Sequence, residues 1–198
     1  LSVVANANSK KYGEADPVLD YSVSGLQNGD TATSVLTGSL SRVAGENVGD
    51  YTINQGSLVA NSNYTIIFTS NTFTITPAPL TVVAESQTKV YGQADPILTY
   101  SVSGLQNSDT ETSVLTGALS RVAGENVGNY TINQGNLLAN SNYTIDFTNN
   151  IFNITPAELS VNDQEFCITE NKTISDLLIQ GTDVKWYASI NSATALNS

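Results

Sequence analysis

Apolar and polar residues alternate with a period of two over much of this chain, which predicts half-buried β-strands. In Tyr64-Thr65-Ile66-Ile67-Phe68-Thr69 the pattern turns Tyr64, Ile66 and Phe68 inward and Ile67 to water. The same reading places strands at Tyr21-Ser22-Val23, Tyr51-Thr52-Ile53 and Phe73-Thr74-Ile75. A fifth strand is expected over Leu1–Ala5, where β-branched residues gather, and a sixth over Ser39–Val43. Polar clusters at 61–63 and 69–72 predict hairpin turns. One helix of one to two turns is expected, capped by Asp30 or Thr31, running through Ser34-Val35-Leu36 and stopped by Gly38.

The pattern is written twice. Residues 1–79 and 80–158 align at a fixed offset of 79 without a gap, and about three-quarters of the aligned positions are identical. The differences test the alternation from within the chain. Ile67 becomes Asp146, Asp20 becomes Thr99, Asp50 becomes Asn129 and Thr74 becomes Asn153, all at positions assigned to water. A period of 79 exceeds that of a solenoid unit, about 20–50 residues, and suits a small domain. The expected organisation is therefore two complete units, 1–79 and 80–158, followed by a different module over 159–198. The junctions at Thr76-Pro77-Ala78 and Thr155-Pro156-Ala157 are short and stiffened by proline, which predicts an extended rod of mainly β units.

Residues 159–198 carry Phe166-Cys167, Thr173-Ile174-Ser175-Asp176-Leu177 and Lys185-Trp186-Tyr187, the pattern expected of the first half of a β-sandwich. Trp186 is expected in its core, and the single Cys167 is expected to pair with a cysteine beyond residue 198. The repeat is in phase at Leu1 and the chain ends inside a third module, so a longer parent protein is expected, its other domains being the immediate partners.

Charge narrows the function. With 18 acidic against 7 basic residues the net charge is −11, and no basic patch is available for nucleic acid or for an anionic membrane surface. No stretch is long and apolar enough to span a bilayer. The absence of histidine rules out a Ser/Cys-His-acid triad, and one cysteine with no histidine rules out zinc sites built on those residues. Glu14 and Asp16 form a carboxylate pair of general acid–base type, but Gln93 replaces Glu14 in the second unit, and the pair reads as an exposed turn before Pro17. Gly45-Glu46-Asn47-Val48-Gly49 lacks the lysine and helix of a phosphate loop. No enzyme activity is expected.

No cofactor is expected either. Calcium is the one ion for which the loops offer oxygens, at Asp30, Glu46 and Asp50 and at Asp109 and Glu125, without an EF-hand pattern. Lys10 and Lys89 read as surface lysines; an intramolecular lysine–asparagine crosslink would need a buried lysine beside an acid. For carbohydrate, the repeats lack tryptophan, and alternation turns most aromatics inward. Tyr12 and Tyr91, each beside a glycine in a turn, are the aromatics expected at the surface and the candidate ligand contacts.

Val90-Tyr91-Gly92-Gln93-Ala94-Asp95-Pro96, the Tyr-Ser-Val-Ser-Gly strand, Gly-Asn-Tyr-Thr-Ile at 128–132, Ser-Asn-Tyr-Thr-Ile at 141–145 and the closing Ile-Thr-Pro-Ala resemble the MBG-type (YGX) repeat of large bacterial adhesins. The resemblance covers residues 1–158; Lys11 stands where the second copy has Val90. It implies a small β-grasp-like or sandwich unit of about five to six strands with one short helix. Residues 159–198 are similar to Ig-like modules of cell-surface proteins from gliding Bacteroidetes. Together the two resemblances imply a secreted tandem-repeat surface protein, extending to a gliding-motility adhesin exported by the type IX route. The repeats are then stalk or spacer modules that hold a binding tip away from the cell. The alternative is that each repeat binds glycan or another extracellular surface weakly and acts through multivalency. A third reading, an accessory region of a secreted enzyme, requires a catalytic domain elsewhere in the parent.

Overall fold

The computed structural model describes residues 1–158 together with two paired dipeptides, Trp186–Tyr187 and Ala195–Leu196. Cys167, the side chain of Trp186 and the rest of the expected half-sandwich lie outside the described residues.

The first unit contains β1 (Ser2–Ala5), β2 (Asn8–Lys11), β3 (Tyr21–Ser24), α1 (Ala32–Val35), β4 (Leu36–Thr37), β5 (Ser41–Arg42), β6 (Gly49–Asn54), β7 (Val59–Ala60), β8 (Ile67–Thr69) and β9 (Asn71–Thr76). The second repeats the order with β10 (Ala78–Ala84), β11 (Gln87–Val90), β12 (Tyr100–Ser103), α2 (Glu111–Val114), β13 (Leu115–Thr116), β14 (Ser120–Arg121), β15 (Gly128–Asn133), β16 (Leu138–Ala139), β17 (Tyr143–Thr148) and β18 (Asn150–Thr155). All six strands expected per unit are present. The structure adds β2 and the two-residue ladder of β4 with β7.

Two extended runs make the frame of each unit. One passes from β1 into β2 with a bend at Asn6-Ala7; the other passes from β8 into β9 with a bend at Ser70. They lie parallel along their whole length, with Ser2 opposite Ile67 and Asn8 opposite Phe73. The bends divide the frame into two mixed sheets, ordered β3-β1-β8 and β2-β9-β6-β5, so that each unit is half a barrel.

The polar cluster at 69–72 is thus not a hairpin. Strands β8 and β9 pair with β1 and β2 rather than with each other. The reason is a side chain: Asn71 Nδ2 donates to the Ala5 carbonyl at 3.0 Å, and Asn150 does the same for Ala84 at 2.9 Å. The amide supplies the hydrogen bond that the ladder loses at the bend, so the strand can change sheets without orphaning backbone.

Alternation decides what is buried. Ile67 is 70% exposed, while its neighbours Ile66 and Phe68 pack against the core around Val3, Ile53, Phe73 and Ile75. The helix is a single turn capped by Thr31, whose hydroxyl accepts from Ser34 N while Ser34 Oγ accepts from Thr31 N; Thr110 and Ser113 repeat this box. Among the described residues no helix is long and apolar enough to cross a membrane.

Candidate functional site

Strand β2 explains the most repeated part of the sequence. Its inward side chain is Lys10, and a buried ammonium needs partners. Asp16, in the Ala-Asp-Pro turn, lies 2.7 Å away, and Glu46 from the loop after β5 meets the same nitrogen. Arg42 closes the cluster. Its Nε and Nη2 grip Asp16 at 2.5 and 3.0 Å, Nη2 also reaches Glu46 at 2.7 Å, and Nη1 donates to the carbonyls of Val43 and Gly45. The guanidinium lies over the rings of Phe73 and Tyr51, at 4.9 and 5.3 Å from their centroids. Lys89, Asp95, Arg121 and Glu125 rebuild the arrangement in the second unit, over Phe152 and Tyr130. Gly45 is required here because a Cβ would stand 2.1 Å from the Tyr51 ring. Among the described residues no buried side-chain nitrogen or oxygen lacks a hydrogen-bond partner.

The cluster is ionic on both sides. The Arg42 guanidinium, helped by Lys10, holds the Asp16 carboxyl down to about 2, and Arg121 does the same for Asp95, also to about 2. Burial works against the charge of Lys10, but the hydrogen bonds to Asp16 and Glu46 outweigh it and its pKa is raised; that of Lys89 is raised chiefly by Asp95. A lysine–asparagine crosslink needs a neutral amine to attack the side-chain amide and a protonated carboxyl beside it to donate to the amide oxygen. This pairing favours the opposite forms, so the crosslink is disfavoured although the lysine is buried. The same polarity leaves no group of this cluster poised as general acid or base near neutral pH.

A pH dependence follows. A carboxyl at about 2 in the folded state, against 3.8 ordinarily, contributes stability that is complete above about pH 4 and is lost as pH falls toward 2. Partial exposure of these carboxylates screens the effect to about 1 kcal/mol per unit. Thermal melts followed by circular dichroism should give a level Tm down to about pH 4 and a steep fall below it. A Tm that holds at about pH 2 would show that the cluster contributes nothing.

The second feature lies between the units. Only Pro77 separates β9 from β10, and β10 joins the second unit's sheet from its first residue, with Ala78 opposite Tyr143. Tyr12, from the turn after β2, crosses the junction. It is 7% exposed, meets Tyr143 edge-on at 5.3 Å, and donates its hydroxyl to Asp109 at 3.0 Å. Tyr143 also donates to Asp109, at 2.7 Å, and burial pushes its own pKa up to about 12. Asn142 seals the other side: its Oδ1 accepts from Val48 N at 2.9 Å, its Nδ2 donates to Asn47 at 3.1 Å, and its carbonyl accepts from Ala78 N at 3.0 Å. Gly13 packs so closely on Gln106 that a Cβ would fall 2.5 Å from that side chain. One buried apolar cluster runs from Val3 and Phe73 through Tyr12 and Ala78 to Leu80 and Tyr143, so the joint is a piece of continuous core.

These placements correct several expectations. Tyr12 is not a surface aromatic, because the neighbouring unit covers it; Tyr91, its counterpart, is 51% exposed. Lys10 and Lys89 are not surface lysines, since each is 7% exposed and neutralised by two acids. Asp16 belongs to the ionic cluster, while Glu14 turns back to the backbone N–H of Lys11 at 2.9 Å. The oxygens considered for calcium do not converge. Glu46 and Glu125 are held by lysine and arginine, Asp30 and Asp109 accept tyrosine hydroxyls, and Asp50 accepts from Thr74. Among the described residues no group of three or more acidic or cysteine side chains is arranged to hold a metal ion. Arg42 and Arg121 carry the cluster and were not singled out from sequence. Their signal was local: Ser-Arg-Val-Ala-Gly-Glu-Asn-Val-Gly is unchanged between units, which alternation alone does not require.

Bent mixed-sheet units, an internal ionic clasp and a shared core at the junction define a tandem-repeat β-protein whose distinctive site is the joint between repeats. The family model of the MBG domain (YGX type) matches residues 1–74 and again residues 80–153, and the chain belongs to this family. MBG domains are found in surface adhesin-like proteins, which points to the extracellular surface. No curated protein and no solved structure matches the chain.

Proposed function

We propose that residues 1–158 are spacer modules in the stalk of a secreted surface adhesin, holding a binding region away from the cell. The joint carries this reading: a buried tyrosine, two asparagine side-chain contacts and a strand that enters the next sheet after one proline resist bending between units. The absence of histidine from the chain and the ionic pairing of its buried lysines support a non-enzymatic role. Residues 159–198 fit an Ig-like continuation of the stalk, with Cys167 bridged to the parent chain, and gliding motility with type IX export is the setting the resemblance favours.

The competing reading makes each repeat a weak glycan-binding module. It loses Tyr12, which is buried, and keeps only Tyr91 as an exposed aromatic candidate among the two. Binding of the chain to a panel of immobilised polysaccharides, with calcium and with chelator, separates the readings. A spacer shows no saturable binding in either condition. Saturable binding that disappears in Tyr91→Ala would establish the adhesive reading instead.

A further inference from the structure

Each unit holds its first and last strands side by side and parallel. In the second unit β10 and β11 lie beside β17 and β18, from Ala78 opposite Tyr143 to Val90 opposite Thr155. Backbone bonds close both ends of this ladder: Ala78 N donates to the Asn142 carbonyl at 3.0 Å, and Tyr91 N donates to the Thr155 carbonyl at 2.8 Å. The bend between the two halves is bridged by Asn150 Nδ2, which donates to the Ala84 carbonyl at 2.9 Å. The first unit has the same ladder, from Ser2 opposite Ile67 to Lys11 opposite Thr76, with Asn71 at its bend. Because the paired runs are parallel, the chain enters a unit at one end of the ladder and leaves it at the other. Only Pro77 separates β9 from β10, so the exit of the first ladder leads straight into the entry of the second.

We propose that each unit is a mechanical clamp, a module that bears tension along the chain by loading this ladder in shear. Pulling entry and exit apart slides one extended run along the other. The hydrogen bonds of a parallel ladder are evenly spaced and run from strand to strand, across the pull, so they share the load and give way together. Pulled apart from one end, the same bonds would open one after another. The sheet order places the load well. Force enters on β10 and leaves on β18, and each is flanked on both sides, in the orders β12-β10-β17 and β11-β18-β15-β14. The edge strands β11 and β17 are internal to the unit and receive no direct pull. Strand β11 is further held to the body by Lys89, which is paired with Asp95 and Glu125. Forced unfolding is governed by the unfolding rate, so the clamp adds a property that equilibrium stability does not report. The clamp follows from the ladders alone; that a load reaches it rests on the spacer reading, which the polysaccharide panel tests separately.

The test uses the full chain with Cys167→Ser, held by two cysteine handles in a single-molecule force experiment. Pro79 and Thr144 face each other at the entry of the second ladder, and both are exposed. Handles at Pro79→Cys and Glu158→Cys load the ladder in shear; handles at Pro79→Cys and Thr144→Cys load it from one end. The shear pair should yield in one event, with a length gain of roughly 230 Å as the whole unit opens. Its yield force should be several-fold higher than that of the end-loaded pair. Asn150→Ala should lower the yield force of the shear pair and leave that of the end-loaded pair unchanged, a contrast that a general loss of stability would not produce. Equal yield forces in the two geometries, stepwise opening of the shear pair, or an Asn150→Ala loss of the same size in both geometries would each overturn the proposal.

Discussion

Arg121→Ala should lower the stability of the second unit by about 3 kcal/mol, because it strips a partly buried ionic cluster of its central cation. The loss has three parts. Asp95 loses its bidentate partner, the carbonyls of Val122 and Gly124 lose their donor, and the face of Phe152 loses the guanidinium stacked on it. For a unit of this size the whole folding free energy is roughly 4–12 kcal/mol, so the change is a large fraction of it. Because the two units melt as one coupled body, the corresponding fall in Tm is roughly 6–12 °C. Arg121→Lys should recover only part of this, since an ammonium keeps the charge but neither the fork nor the stacking. Differential scanning calorimetry of the two variants measures both effects. Equal melting of Arg121→Lys and the native chain would show that charge alone matters.

Tyr12→Ala and Tyr91→Ala are the same substitution at equivalent positions of the repeat, and they should behave differently. Removing Tyr12 opens a cavity in the joint, deletes the edge contact with Tyr143 and leaves Asp109 with one tyrosine donor instead of two. The expected cost is about 3 kcal/mol of coupling between units, as for a large buried aromatic. Tyr91 is half exposed, and its removal should change stability by no more than about 0.5 kcal/mol. In calorimetry the native chain and Tyr91→Ala should each melt with coupled units, whereas Tyr12→Ala should separate the melting of the first unit from the second. Similar effects of the two substitutions would mean that the joint holds no more than an ordinary surface.

The contrast shows how far the sequence carries. Alternation locates four strands per unit and their inner faces, β-branched residues add β1, and the exchange of Ile67 for Asp146 marks an outer position that the structure exposes. Strand β2 escaped because its inward residue is Lys10, so burial there does not look apolar. The signal was present in another form: Lys10 is retained as Lys89 while Asn8, Ser9 and Lys11 all change around it. The cluster around Ser70 looks like a hairpin in sequence because Asn71 is a turn-type residue, whereas its amide serves as a surrogate ladder bond. Tyr12 and Tyr91 have near-identical neighbours in sequence, so local pattern cannot distinguish the covered one from the free one. Only the placement of the next unit does that.

The central claim is that the two units share one stiff joint. Spin labels at Ile67→Cys and Asp146→Cys, equivalent exposed positions of β8 and β17, in a Cys167→Ser chain, report the distance between units by double electron–electron resonance. The account predicts a single narrow distance distribution that broadens when Tyr12→Ala is added. A broad distribution in the otherwise native chain, unchanged by Tyr12→Ala, would contradict it.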